Sequence, residues 1–477
     1  FGSSPSSQGQ WCGRATVGVM SLDSQQPAIA DTKATTSGGR LSSTIERGSH
    51  VVLRDAQGEQ KVLHLGGGVK EFRIGKGYPP IPVEALLAVP YGATLRRVQG
   101  GRWLRHRAEL VGGGEAETVG TDEITETNQH LAQDNSAQAL CPAEVESLKR
   151  RCSGEEVIEA IASNSATFAT KTKFAQEKYL KKKRQKHLQQ VVVLRPTVME
   201  LCETYMKQSR GKVAGLRFDY LASILCHADV HTGGRYLLMD CACGLVAGAM
   251  AQQLSGNGRI YRVFRGGCPE KAVLELDLGE ARHSIRAIPL EVVQSQDPMS
   301  HEWLRAPAEA SAGAQMASEE DAAKAERARE IRTERAQQRI ADFRDLEAGM
   351  LDAVVIAAGS EDAEVAAEAL ELGLARLGPG GRVAVYGPHL QPLAARQGAM
   401  RAGGGFVDVR LIQLFTREYQ ILPQRTHPHM MAEAQLCEGF LLTASKVIDS
   451  DGTTPECIAV DGEAARTDGK RRRRGPR

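Results

Sequence analysis

The chain has 477 residues, 42% of them hydrophobic, enough for two or three domains with substantial cores. Its formal net charge is only +2, yet cations gather in runs at 171–187 and 470–474, a distribution that favours a polyanion such as nucleic acid. Ten cysteines without a CxxC pair argue against a disulfide framework or a metal site, and no apolar stretch approaches the roughly 20 residues of a membrane helix, so free thiols and no membrane partner are expected.

The first residue is Phe1, as expected of a truncated start, and residues 1–44 are rich in Ser, Gly and Gln. Without the apolar core of a signal peptide they read as disordered. From 45 to 111 short apolar runs alternate with glycine and proline: His50-Val51-Val52-Leu53-Arg54, Gln60-Lys61-Val62-Leu63-His64-Leu65, Glu71-Phe72-Arg73-Ile74 and Thr94-Leu95-Arg96-Arg97-Val98. Regular short strands with turn signals predict a small all-β unit, a barrel. Gly66-Gly67-Gly68 lacks the Gly-Lys-Ser/Thr ending and the following helix of a phosphate loop, so it reads as a plain loop.

Residues 112–141 are polar and acidic and read as a linker. A helical pattern covers 142–190, broken at Ser163-Asn164-Ser165, and ends in a basic helix with Phe174 and Leu180 facing inward. Lys178, Lys181, Lys182, Lys183, Arg184 and Lys186 crowd into little more than two turns and cover most of its circumference. Like charges at that spacing repel unless a polyanion is near. With Lys173 they are candidate RNA ligands, an exposed face or a nuclear-import signal being the alternatives.

An α/β domain is expected over 191–445, opened by a buried strand at 191–194 that Pro196 ends. Helices at 197–206 and 218–227 lead to strand 236–239, helix 245–254 and strand 259–264. An Ala-, Glu- and Arg-rich insert over 306–349 suits an exposed helix or a loop. Strand 351–358, helix 364–377, strand 382–386 and a late strand at 407–415 follow. Strands alternating with helices predict a Rossmann-like, doubly wound parallel sheet, so the chain as a whole is read as α+β and multidomain. Residues 446–477 read as a disordered basic tail.

The segment 236–264 has the layout that opens a nucleotide- or S-adenosylmethionine-binding domain, but its chemistry is missing. Such a domain needs small residues in the first turn, where the backbone approaches the cofactor, and an acid after the second strand for the ribose hydroxyls. Here the turn reads Asp240-Cys241-Ala242-Cys243-Gly244-Leu245-Val246-Ala247-Gly248, with bulk between its glycines, and Arg265 stands where the carboxylate belongs. Asp240 is expected to cap a helix. Ala357 falls where an amino-methylating enzyme carries an acid after the fourth strand, and Glu361 and Asp362 are expected to cap the next helix. The stretch at 417–429 mixes Arg417, Tyr419, Arg425, His427 and His429, groups that stack on and pair with single-stranded RNA. His427 and His429 are too closely spaced for a zinc site.

Four stretches carry a family likeness: Lys171-Thr172-Lys173-Phe174-Ala175-Gln176-Glu177-Lys178-Tyr179-Leu180-Lys181-Lys182-Lys183, Arg217-Phe218-Asp219-Tyr220-Leu221-Ala222, Cys243-Gly244-Leu245-Val246-Ala247-Gly248-Ala249-Met250, and Arg417-Glu418-Tyr419-Gln420-Ile421-Leu422-Pro423 with Arg425-Thr426-His427-Pro428. In that order the chain resembles the non-catalytic, tRNA-binding subunits of the eukaryotic tRNA adenine-N1 methyltransferase. The resemblance implies a catalytically silent methyltransferase domain, a homologous catalytic partner holding S-adenosylmethionine, a two-plus-two heterotetramer, and methylation of the adenine at tRNA position 58. It also implies a nuclear location, which the basic run at 470–474 suits. No cofactor is expected in this chain. An active S-adenosylmethionine-dependent RNA methyltransferase and a general RNA-binding scaffold are the alternatives. Leu221, Ile224 and Leu225 are candidates for either a subunit interface or the core.

Overall fold

The computed structural model describes residues 44–75, 78–98, 101–106, 138–152, 154–169, 176, 179–180, 182–184, 187–267, 269–305, 319–416, 419–420, 429–430 and 438–447. The disorder expected for 1–43 and 448–477, and the linker expected over 112–137, lie outside the described residues.

The N-terminal strands are β1 (His50–Asp55), β2 (Gln60–His64), β3 (Glu71–Phe72), β4 (Ile81–Pro82), β5 (Thr94–Arg97) and β6 (Trp103–His106). A seventh, β7 (Gln190–Leu194), returns from beyond helices α1 (Pro142–Arg151) and α2 (Gly154–Ser163). It inserts between β1 and β5, giving an antiparallel sheet of order β2-β1-β7-β5-β6. Two expectations are corrected here. Among the described residues β2 and β6 are free edges, so the strands form an open sheet and not a closed barrel. The strand at 191–194 was expected to open the α/β domain, but it is the central strand of the N-terminal sheet. Its alternation explains the choice: Val191 and Val193 are wholly buried, beside Leu53, Leu95 and Trp103.

On its other face β1 turns Val52 toward the second domain. Helix α3 (Val198–Gln208) lies between the two sheets, with Thr197 Oγ1 accepting from Glu200 N at its start. The Glu200 carboxylate takes the Arg54 guanidinium and, at 3.1 Å, the Gln60 amide, which ties β1 and β2 to this helix.

The second sheet has the order β10-β9-β8-β11-β12-β16-β13. Its members are β8 (Arg235–Asp240), β9 (Arg259–Phe264), β10 (Ile285–Pro289), β11 (Leu351–Ala357), β12 (Leu377–Gly387), β13 (Phe406–Ile412) and β16 (Phe440–Lys446). Among the described residues β14 (Tyr419–Gln420) and β15 (His429–Met430) pair only with each other. β8 to β12 run parallel, and β16 is antiparallel to both its neighbours. This is the expected doubly wound, Rossmann-like sheet, made mixed by one late strand; the order reverses between β8 and β11.

Each face of the sheet buries an apolar layer. On one side lie α3, α4 (Phe218–His227), α5 (Leu245–Leu254) and α6 (Lys271–Glu275). On the other lie α7 (Leu290–Gln294), α8 (Glu319–Ala348), α9 (Ala363–Arg376) and α10 (Leu390–Ala402). Leu221 and Ile224 of α4 are buried in the first layer and Leu225 packs against it, so these three serve the core. The insert contains the 30-residue α8, whose later half docks through Ala336, Phe343 and Leu346. Lys446 ends a buried strand, its Nζ donating to the Leu377 carbonyl at 2.8 Å, so the sheet takes in the first residue of the expected tail.

Leu53 is fully buried in the small N-terminal core. Leu53→Ala should therefore cost about 2–5 kcal/mol in urea unfolding, with little change in slope. A cost under about 1 kcal/mol would mean that β1 does not hold that core.

Candidate functional site

β8 ends at Asp240, beside the point where the strand order reverses, which is where open α/β sheets receive ligands. The turn that follows places Cys243 (φ 58°) and Gly244 (φ 83°) successively in the left-handed region. A non-glycine residue there costs on the order of 1–3 kcal/mol, so the surroundings must enforce it. They do so through Asp240. Its buried carboxylate accepts from the Ala242 amide at 2.7 Å and the Ala247 amide at 2.9 Å. Ala247 N is one of the unpaired donors at the start of α5. Asp240 thus caps that helix, as expected, and occupies the N–H group that would otherwise face an anion.

The space above the turn is filled by the chain itself. Ala272 N donates to the Cys243 carbonyl at 3.0 Å. A Cβ at Gly244 would lie 3.1 Å from Val273 Cγ2, and one at Gly248 would lie 2.4 Å from Leu276 Cδ1. These glycines admit the segment around α6, where a cofactor-binding fold would admit its ligand.

A residue unremarked in the sequence completes the closure. Arg262 lies in the middle of β9 and is 1% exposed. Its Nη2 donates to the Asp240 carbonyl at 3.0 Å and to the Pro269 carbonyl at 2.9 Å, while Nη1 lies 3.9 Å from the Glu270 carboxylate. One guanidinium therefore ties the end of β8 to the segment covering the turn. The signal was present: a charge at a position of β9 whose two neighbours, Tyr261 and Val263, are both core residues.

Arg265 does not stand over the turn. Its guanidinium meets Glu291 at 3.3 Å and Glu368 at 2.5 Å, on helices α7 and α9 across the sheet. The Glu368 carboxyl is held below its ordinary range chiefly by that bond. Asp362 occupies the cap position of α9, but its carboxylate makes no cap hydrogen bond; its nearest effect is on the Cys241 thiol, which it helps to raise. The thiols of Cys241 and Cys243 are both raised, first by burial and then by a neighbouring carboxylate, Asp362 and Asp240 respectively. Among the described residues no group of three or more His, Cys, Asp or Glu could hold a metal ion.

The expected RNA ligands are reached in part. Lys173, Lys178, Lys181, Lys186, Arg417, Arg425 and His427 lie outside the described residues. Lys182, Lys183 and Arg184 are helical. Lys182 and Arg184 are exposed, whereas Lys183 is half-buried with Nζ 5.2 Å above the Tyr179 ring. Burial and then the Lys182 charge make the Lys183 ammonium more acidic. Tyr179 packs on Phe168, and the buried His187 leads directly into β7, so the cations ride on a segment fixed to the N-terminal sheet.

Two outcomes are expected. Arg262→Ala leaves two buried carbonyls without their donor, at a cost of roughly 2–4 kcal/mol in urea unfolding. Calorimetry should still register no S-adenosylmethionine binding by this variant, because Val273 and Leu276 remain in place; acquired affinity would show that the guanidinium alone excludes it. For the thiols, burial pushes Cys202 up to about 12 and raises Cys241 and Cys243. A raised thiol pKa means less thiolate at any given pH. Maleimide at neutral pH should therefore label the exposed Cys141 and Cys226 first, the other three reacting only as pH rises well into the alkaline range or on unfolding.

A family model, the Gcd10p family, matches residues 44–339. A mouse (Mus musculus) protein named tRNA (adenine(58)-N(1))-methyltransferase non-catalytic subunit TRM6 is 27% identical over 425 residues, 78% of this chain and 83% of the relative. The protein of the same name from Dictyostelium discoideum is 25% identical over 462 residues, 89% of this chain and 86% of the relative. Among solved structures, a SAM-dependent O-methyltransferase from Thermotoga maritima has TM-score 0.44 at 11% identity, over 86% of this chain and 97% of its own. The tRNA (m1A58) methyltransferase TrmI from Aquifex aeolicus has TM-score 0.40 at 9% identity, over 85% and 99%. With well over half of its length matched by one family model, this chain belongs to the Gcd10p family.

Proposed function

We propose that this chain is the non-catalytic, tRNA-binding subunit of a tRNA adenine-58 N1-methyltransferase. It positions tRNA for a homologous catalytic subunit that holds S-adenosylmethionine. The observation that carries the reading is the closed turn: Asp240 holds the Ala247 amide at the start of α5, Arg262 bonds the covering segment, and Val273 and Leu276 pack against the two glycines. A chain with a Rossmann-like sheet whose first turn packs against its own segment around α6 is suited to contribute binding, not transfer. The names carried by its relatives agree with that division of labour. A two-plus-two assembly and a nuclear location belong to the same reading, the latter supported by the Lys470–Arg474 run.

The decisive experiment is co-expression with the catalytic homologue. The two chains should co-purify and methylate adenine 58 together, and this chain alone should transfer no methyl group. Activity of the isolated chain would favour an active enzyme instead, and failure to co-purify would favour a general RNA scaffold. In the complex, replacing Lys182, Lys183 and Arg184 with Ala should weaken tRNA binding and flatten its salt dependence, by about 0.7–0.9 in the log–log slope for each phosphate no longer neutralised. An unchanged slope would remove this segment from the RNA surface.

A further inference from the structure

Helix α8 has two unlike halves. From Ala336 onward most of its charges are matched by the body of the domain, Arg344 being the exposed exception. Asp342 meets Arg286 at 3.1 Å, Asp345 meets Arg235 at 3.0 Å, Glu347 meets Arg376 at 2.7 Å, and Arg339 donates to the Trp303 carbonyl. From Lys324 to Arg335 the described side chains are exposed except at Ala328. Among the described residues Lys324, Arg327, Arg332 and Arg335 take part in no ion pair.

The exposed half is sorted by charge. At 100° per residue, Lys324, Arg327, Ile331 and Arg335 fall on one side of the helix, with Arg332 beside them. Glu326, Glu330 and Glu334 form a second row at four-residue spacing, with opposite-sign i,i+3 neighbours only at Glu326–Arg329 and Arg327–Glu330. The close i,i+3 and i,i+4 neighbours along each row are therefore mostly of like sign, an arrangement that destabilises an isolated helix. A helix built only to be soluble would alternate its signs along these rows.

The direction of the helix is also fixed. Asp345 pairs with Arg235 and Arg259, the first residues of β8 and β9, and Arg339 sits at Trp303, beyond the end of β10. Followed backward, α8 thus runs toward the edge where the parallel strands end, the ligand-facing edge of such sheets.

We infer that the exposed half of α8 is a second RNA-contacting surface, in which Lys324, Arg327, Arg332 and Arg335 meet phosphates along a helix preorganised by its docked half. This rests on the tRNA-binding reading above and deepens it. Three of the four cations are arginines, the side chain suited to bidentate phosphate pairing. Ile331, 47% exposed, is the one large apolar residue in the stripe. A protein partner would require an apolar centre that this stripe lacks. The exposed stretch of 12 residues is about 18 Å long, sufficient for several phosphates of one backbone.

The test uses the full complex with its catalytic partner and an unmodified tRNA, with binding titrated against salt. The combined variant K324A, R327A, R332A and R335A should bind about tenfold or more weakly near physiological salt, with a log–log slope shallower by roughly 2–4. Its helix content and co-purification should match those of the parent complex. A second variant, E326Q, E330Q and E334Q, should bind as well as the parent or more tightly. If the parent complex binds no tRNA, the proposed function itself fails. If the parent binds and the alanine variant binds equally with the same slope, this inference alone fails. Loss of the partner from the alanine variant would assign the stripe to a protein interface, and weaker binding by the glutamine variant would likewise overturn the phosphate assignment.

Discussion

Asp240 has two carboxylate oxygens, and both are held by amides of its own turn and helix. In a dinucleotide-binding sheet, the donors at the start of the helix after the first strand stay open, because they and the helix dipole hold the pyrophosphate. Here the chain supplies the anion itself. Arg262 lies one strand away, fully enclosed, and bonds the Asp240 main-chain carbonyl. Truncating either side chain would leave buried polar atoms without partners, which is costlier than the bond itself. The pair therefore fixes the turn, the turn fixes Cys243 and Gly244 in their left-handed conformations, and these give α5 its entry onto the sheet.

The same fixed frame determines where the cations stand. Val191 and Val193 thread β7 through the centre of the N-terminal sheet, and the basic segment immediately precedes that strand. Glu200 then links the sheet to α3 and so to the first apolar layer of the second domain. Lys182 and Arg184 are displayed from the first sheet, and Lys324 to Arg335 from the second. Neither set lies at the turn where transfer chemistry would occur. A chain that contributes binding to a neighbour's reaction gains most from rigidly placed charge, because ordering long side chains on binding lowers affinity.

What could be read in advance follows from the range over which each feature is encoded. The alternation over 236–264 was legible because a strand, a glycine-containing turn and an apolar helix each announce themselves within a few residues. The three residues read as bulk beside a cofactor, Leu245, Val246 and Ala247, are all wholly buried in the first apolar layer, where they seat α5 on the sheet. Sheet membership was not legible. Val191–Leu194 reads as a buried strand in any setting, and only pairing with Leu53 and Arg54, distant in sequence, decides which sheet it joins. Ile285–Pro289 carries an arginine and ends in proline, so its local pattern is weak. Phe440–Lys446 inserts between two strands that precede it, a non-local choice made by register. Arg265 misled because it is adjacent in sequence to the expected acid position, while its length carries the guanidinium across to Glu368.

Closure of the turn also alters how the domain depends on its surroundings. A protein whose binding loop is completed by a ligand gains stability in proportion to the logarithm of ligand concentration, and loses it when the ligand is scarce. In this chain Val273, Leu276 and Arg262 complete the turn internally, so the ordering of the loop is independent of any metabolite. That internal completion is consistent with the proposed non-catalytic role, in which cofactor chemistry is left to another subunit. It also accounts for the presence of a whole doubly wound sheet without transfer chemistry. Both apolar layers, and through α3 the N-terminal sheet with its cations, are anchored on strands whose spacing the closed turn preserves.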